Sequence, residues 1–336
     1  MDSPRIPISS FARAFTLVEI LVSITVLVLI VVLVSQMTGA ATRTVTGSRK
    51  HMDADTQARL VFNRMAVDFS NMIRRPDLDY SLFKQPAGTL SATYGSAAIS
   101  ANLQAGTASA PVNDSLAFYA KGTGLFSSGS APLPSTKAPL ALVGYNVAAD
   151  PYLNNRYDLQ RMSQGLGWEP VNGFPNIGYL PTLLTTQWGS NLFTTPSYWD
   201  TVGDQVFRFE YTYLLKANTS PTTLHPAKLS NTPYWDSVTN GMSPTAPHTS
   251  INGFQDVAAI VVGIAVLDST SDAILTGGTN TSLVNSLPDA VEGSDIESVW
   301  LPIVTSGTFA QKAGIPKEAA SAVRIYQRYF YLPAPQ

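Results

Sequence analysis

Twenty residues from Phe15 to Val34 constrain this chain more than any other stretch, because they leave it one backbone conformation and one environment. Between Ile20 and Val34, thirteen of fifteen residues are apolar, interrupted only by Ser23 and Thr25. About twenty such residues are what a helix needs to cross the hydrocarbon core of a bilayer. Ten of the fifteen are Ile, Val or Thr, whose branched side chains favour a strand in water. In lipid only a helix satisfies its own backbone hydrogen bonds, so the environment overrules the propensity. The reading is a single spanning or membrane-inserting helix over residues 15–38. One carboxylate, Glu19, stands at its head. A charge there costs roughly 2.5–3.5 kcal/mol on insertion scales, which makes Glu19 a functional candidate at once.

No proline follows until Pro76, and one long helix is expected from Phe15 to Arg74, bent or loosened near Gly39 and Gly47. Sixty residues at about 1.5 Å each span on the order of 90 Å. Residues 39–75 form an amphipathic continuation: Ala58, Phe62, Met65, Phe69 and Met72 recur at spacings of four, three, four and three. Val61 and Ile73 widen that stripe, while Arg59, Arg64 and Asp68 are expected to face elsewhere. A face packed on the chain's own globular domain is preferred; a helix–helix seam is the alternative.

Residues 76–336 read as a globular head. Pro86–Asn113 carries no Lys, Arg, Asp or Glu and is rich in Gly, Ala, Ser and Thr, the composition of an irregular loop. Ser115–Ala120 reads as a strand, Gly122–Pro139 as another loop, and Leu140–Val147 with Arg156–Met162 as a strand pair. Within Gln205–Lys216, Phe207, Phe209, Tyr211 and Tyr213 alternate with more polar neighbours, the pattern of a half-buried strand. Ala217–Asn252 is a long Ser/Thr/Pro/Asn-rich excursion. Asp256–Asp268 is continuously apolar between its aspartates and reads as a central strand covered on both sides. A short helix around Pro316–Ala322 leads into a strand at Val323–Leu332. One long helix followed by antiparallel strands with long loops is an α+β pattern.

Composition narrows the function. Net charge is −2 with only 13% charged residues, so nothing suggests nucleic acid, whose binding would call for clustered Lys and Arg. Cysteine is absent, which removes disulfides, thiolate metal sites and a cysteine nucleophile. His51, His225 and His248 lack metal-ligand spacing, and no His-Glu-x-x-His, Gly-x-Ser-x-Gly or phosphate-binding Gly-x-x-x-x-Gly-Lys occurs. Gly122-Thr123-Gly124 is a fragment of a dinucleotide fingerprint without its third glycine. Asp268 and Asp272 suit turn formation better than calcium. Trp168, Trp188, Trp199, Trp235 and Trp300 suit core or loop anchoring better than sugar or partner binding. The expectation is no enzyme, no cofactor and no metal.

Three readings compete for the N-terminal segment. In a secretory signal peptide, Arg5 and Arg13 would precede the apolar region and Thr38-Gly39-Ala40 would precede the cut. Against that, the apolar region exceeds the usual 7–15 residues and opens with a carboxylate. A plain signal anchor leaves Glu19 without a role. The third reading rests on resemblance. Phe15-Thr16-Leu17-Val18-Glu19-Ile20-Leu21-Val22, behind a short leader with Arg13, resembles the start of type IV prepilins and type II secretion pseudopilins. The one departure is Ala14, where the family usually has glycine.

That resemblance implies a leader over 1–14, cleavage between Ala14 and Phe15 by a prepilin peptidase, and N-methylation of Phe15. It implies that Glu19 meets the Phe15 amine of a neighbouring subunit and sets the register of a filament. The fold it implies is pilin-like, a long helix packed on an antiparallel sheet head. Val143-Gly144-Tyr145, Leu159-Gln160-Arg161 and Val261–Asp268 are loosely similar to the strands of J-type minor pseudopilins. The pilin-like family known as Verru_Chthon cassette protein C is also similar. The implied partners are the prepilin peptidase, other pilin or pseudopilin subunits, an inner-membrane assembly platform and membrane lipid. The implied location is the bacterial inner membrane, single-pass with a periplasmic head, and then the filament. The flanking charges do not decide orientation, since Arg43, Arg49 and Lys50 follow the helix as Arg5 and Arg13 precede it. A signal-anchored or secreted adhesin is the alternative, and a signal-anchored periplasmic enzyme a further rival.

Overall fold

The computed structural model describes residues 16–74, 81–83, 113–124, 138–150, 156–166, 199–219, 224–231, 233, 235, 254–275 and 279–334. The leader, Ala14, Phe15, Pro76, Trp168, Trp188, His248 and most of the three long loop stretches lie outside these residues. The contacts divide the chain into two units, 1–49 and 50–336.

Helix α1 (Leu17–Ser70) passes through Gly39 and Gly47 without interruption. It is long and apolar enough to cross a membrane. It ends at Ser70 rather than Arg74, and local chemistry explains why. The last turn tightens, with Asn71 N donating to Asp68 O at 3.1 Å and Met72 N to Phe69 O at 3.2 Å. The next residues then pair with a strand instead: Ile73 N donates to Tyr119 O at 2.9 Å, and Lys121 N donates to Asn71 O at 2.8 Å.

One antiparallel sheet joins β1 (Ser81–Phe83), β2 (Ser115–Gly124), β3 (Ala138–Asp150), β4 (Arg156–Leu166) and β5 (Trp199–Gly203) in sequential order. The β3–β4 pair is the one read from sequence, with β3 extended at both ends and β4 at its C-terminal end. The expected loop from Gly122 yields its first three residues to β2 and its last two to β3. A second sheet has the order β11-β10-β6-β9, built from β6 (Val206–Leu215), β9 (Lys228–Ser230), β10 (Val257–Val266) and β11 (Arg324–Tyr331). Strands β7 (Asn218–Thr219) and β8 (Leu224–His225) form a small ribbon. The sheets join at the two-residue turn Asp204-Gln205 and where Asn113 and Asp114 bind β6. There, Asp114 N donates to Phe209 O at 3.0 Å, and Phe209 N donates to Asn113 Oδ1 at 2.8 Å.

Central strand β10 is covered on both faces. Ile260, Val262, Ile264 and Val266 enter a core with Val61, Phe62, Met65 and Phe69 of α1. Ala265 and Leu267 enter a second core under five short helices. These are α2 (Ser269–Ile274), α3 (Thr279–Asn285), α4 (Ile296–Val304), α5 (Phe309–Ala313) and α6 (Lys317–Ala322). Helix α4 lies directly on Gly263, where an added Cβ would stand 2.4 Å from Ile296 Cγ2, so only glycine permits this approach.

Strand β6 differs from the half-buried strand expected. Phe209, Tyr211 and Tyr213 enter the core shared with α1 while Phe207 enters the second core, and Arg208, Glu210 and Thr212 are also buried. Residues between and within the short helices bind the two charged groups. Arg208 ion-pairs with Asp289 and lies over the Trp300 ring at 5.6 Å, while Glu210 Oε1 accepts from Ala290 N at 2.6 Å. Buried charges are tolerated only when so engaged.

Candidate functional site

The first candidate group is the start of α1. Thr16 N and Thr16 Oγ1 donate to Glu19 Oε2 at 2.9 and 3.0 Å, and Glu19 N donates to Thr16 Oγ1 at 3.3 Å. This reciprocal arrangement is a capping box, in which the N-cap threonine and the glutamate three residues on satisfy each other's orphan amides. Thr16-Leu17-Val18-Glu19 carried that signature in the sequence, and the sequence reading passed over it. Glu19 therefore has an intramolecular role in starting the helix. Both capping bonds fall on Oε2. The two hydroxyls inside the apolar run also have partners: Ser23 Oγ donates to Glu19 O at 2.7 Å and Thr25 Oγ1 to Leu21 O at 2.8 Å. Neither leaves an unsatisfied donor in an apolar surrounding. Every large apolar side chain from Leu17 to Val34 is exposed in the chain on its own.

The second group is the helix face within the head. Ala58, Phe62, Met65, Phe69 and Met72 are all buried in the core shared with both sheets. Phe69 stacks on Phe118 at 5.3 Å and meets Phe330 at 5.0 Å, one from each sheet. Burying side chains of this size contributes about 1.5–3 kcal/mol each.

Asp68 corrects the sequence reading. Expected to face away, it is buried between α1 and the first sheet. Arg161 on β4 holds it with two bonds, Nε to Oδ2 at 2.6 Å and Nη2 to Oδ1 at 2.9 Å, and Tyr145 on β3 donates to Oδ2. Arg64 stands 3.6 Å from the same oxygen, one turn back. Burial, with the Asp68 carboxylate beside it, pushes the Tyr145 hydroxyl well above its ordinary pKa, so it remains a donor. The carboxylate turned inward because a paired guanidinium waits there; an amphipathic wheel has no means of showing this. Tyr145 and Arg161 belong to the two strand motifs singled out in the sequence, and the fold brings both to one carboxylate.

Asp268 caps α2, accepting from Thr270 N at 3.1 Å and Ser271 N at 3.2 Å, and pairs with Lys50 at 3.5 Å. A lysine in that position opposes a cation site. Among the described residues no group of three His, Asp or Glu is placed to hold a metal ion. Trp199 and Trp300 are buried. Trp235 is half-buried against His225 at 5.0 Å. Comparison of the chain with protein-family models, with curated proteins and with solved structures finds no match in any of the three.

Proposed function

We propose that this chain is a membrane-inserted, pilin-like subunit, a minor pilin or pseudopilin, whose activity is assembly rather than catalysis. The observation that carries the reading is Phe15–Val22, with its glutamate at the head of an apolar helix whose large side chains from Leu17 to Val34 are exposed. A prepilin peptidase removes residues 1–14 and methylates the Phe15 amine. The helix waits in the inner membrane with the head in the periplasm. An assembly platform then lifts the subunit into a filament of a type II secretion or type IV pilus-like machine.

The capping box gives Glu19 a resting state for this sequence of events. Before assembly its carboxylate is held by Thr16; on assembly the neighbour's Phe15 ammonium meets it. An amine of this kind stays charged at neutral pH, and pairing two opposite charges removes an uncompensated one from each subunit. The head, bound to α1 through Asp68 and the Phe69 cluster, rides on the same helix. The test is Glu19→Ala in cells carrying the assembly machinery. Normal processing with failed filament incorporation is expected, and incorporation at the parental level would contradict the pairing role.

A further inference from the structure

Strand β11 ends its sheet, and among the described residues it pairs with β10 alone. Among the described residues, the other hydrogen-bonding edge of its eight residues has no strand partner. Both faces of the strand make contacts, although Arg328, Tyr329 and Tyr331 are exposed. Even-numbered side chains meet α1: Arg324 Nε donates to His51 Nδ1 at 3.0 Å, Tyr326 donates to Asp55, and Arg328 Nη1 donates to Asn63 Oδ1 at 3.1 Å. Odd-numbered ones meet the segment entering α4, where Gln327 and Tyr329 both donate to Asp295. The unpaired edge thus lies with α1 on one side of the strand and that segment on the other.

The α1 side of this edge carries three arginines and one carboxylate, Asp55, while the opposite side carries Asp295. Arg324, Arg328 and the exposed Arg59 of α1 make no ion pair to a carboxylate among the described residues. Arg324 and Arg328 are held by neutral groups, namely His51, Asn63 and the carbonyls of Ser321 and Val323. The one carboxylate contacting the strand from α1 is Asp55, which takes the Tyr326 hydroxyl. Guanidinium groups keep their charge and carry five donors each, so neutral partners leave that charge uncompensated. On the other face Tyr329 and Tyr331 are exposed beside Gln327.

We propose that the β11 edge binds an extended acidic segment of a partner protein, added as a further antiparallel strand. Strand addition takes its affinity from main-chain bonds and its specificity from alternate side chains. The chemistry of the partner follows from the register. Side chains on the α1 face lie beside Arg324 and Arg328, about 13 Å apart along the strand, and should be Asp or Glu. Side chains on the opposite face lie beside Tyr329 and Tyr331 and should be aliphatic or aromatic. Charged side chains also serve to keep sheet edges from pairing, and the experiment separates that role from recognition.

The full-length protein in neutral detergent is titrated with a fluorescent eight-residue peptide alternating Glu and Val, and with its Lys/Val counterpart. The Glu peptide should bind about tenfold tighter or more, the effect of two or three exposed ion pairs together. Arg59→Glu with Arg328→Glu, both at exposed positions, should reverse that preference, and Lys312→Glu elsewhere on the head should leave it unchanged. N-methylation of alternate residues along one edge of the Glu peptide should abolish binding, and along the other edge should not. Equal binding of the two peptides, or no binding of either, means the arginines only guard the edge and overturns the proposal. Binding insensitive to N-methylation on both edges, or a stronger charge-dependent response to anionic vesicles than to the peptide, also overturns it.

Discussion

Replacing Asp68 with Asn tests how the head is held on α1. The change keeps the shape of the side chain and removes its charge. Arg161, whose side chain is 10% exposed, then keeps a buried guanidinium with no counter-charge. Breaking a buried pair in this way costs about 3–5 kcal/mol. Arg64 is not an adequate substitute, since its side chain is 47% exposed and its contact with Asp68 is 3.6 Å long. An exposed pair of this type contributes only about 0.3–0.5 kcal/mol, so Arg64→Ala should fall in that range. Removing the whole cluster should behave differently. Asp68→Leu with Arg161→Met and Tyr145→Phe leaves no buried charge or orphan hydroxyl, and apolar replacements of buried pairs are often neutral, so stability should return to within about 1 kcal/mol of the parent. Trp199 is a local reporter, because its ring lies against Gly144, beside Tyr145. Guanidinium unfolding followed by tryptophan fluorescence gives the three values. A loss below about 1 kcal/mol for Asp68→Asn, or a triple variant as unstable as the single, would refute the view that uncompensated charge is what the cluster prevents.

Three further outcomes follow from the same contacts. Gly263→Val should destabilise the head by about 1–3 kcal/mol through overpacking against Ile296, with partial recovery on adding Ile296→Ala, measured by denaturant midpoints. Phe69→Ala should cost about 3–5 kcal/mol, since one ring bridges both sheets, and thermal unfolding monitored by circular dichroism checks it. Glu292 is held below the usual carboxylate range although partial burial works against it, because Asn231 N–H, Lys228 and Ser230 bind its charged form. A lowered folded value stabilises above the unfolded value of about 4.3, and that contribution disappears as pH falls through the folded value. Trp235 fluorescence should therefore report acid-induced loosening of β9 in the parent, and Glu292→Gln should remove that pH dependence.

The parts of the fold that the sequence made legible are those with one dominant signal. Strand β10 is a continuous apolar run, and β3–β4 are two β-rich runs separated by a short connection; both were readable. The alternation in β6 located the strand but misassigned its polar face, because the cover over Arg208 and Glu210 comes from residues 269–322. That cover consists of helices of five to nine residues, one with Pro302 inside it, too short for a period to stand out. Asp68 illustrates the same limit. Its burial depends on Arg161, ninety-three residues away in sequence, and no local pattern encodes that. The capping box at Thr16 and Glu19 was fully local and was missed for another reason: a glutamate beside a long apolar run draws a functional explanation before a helix-starting one.

The central claim is that Phe15 becomes the processed terminus of a filament subunit. Mass spectrometry of the mature N-terminus from membranes of the native host tests it most directly. The expected result is a chain beginning at Phe15 with one methyl group on its amine. A chain that retains residues 1–14, or one that begins at Ala41 after a signal-peptidase cut, would contradict it.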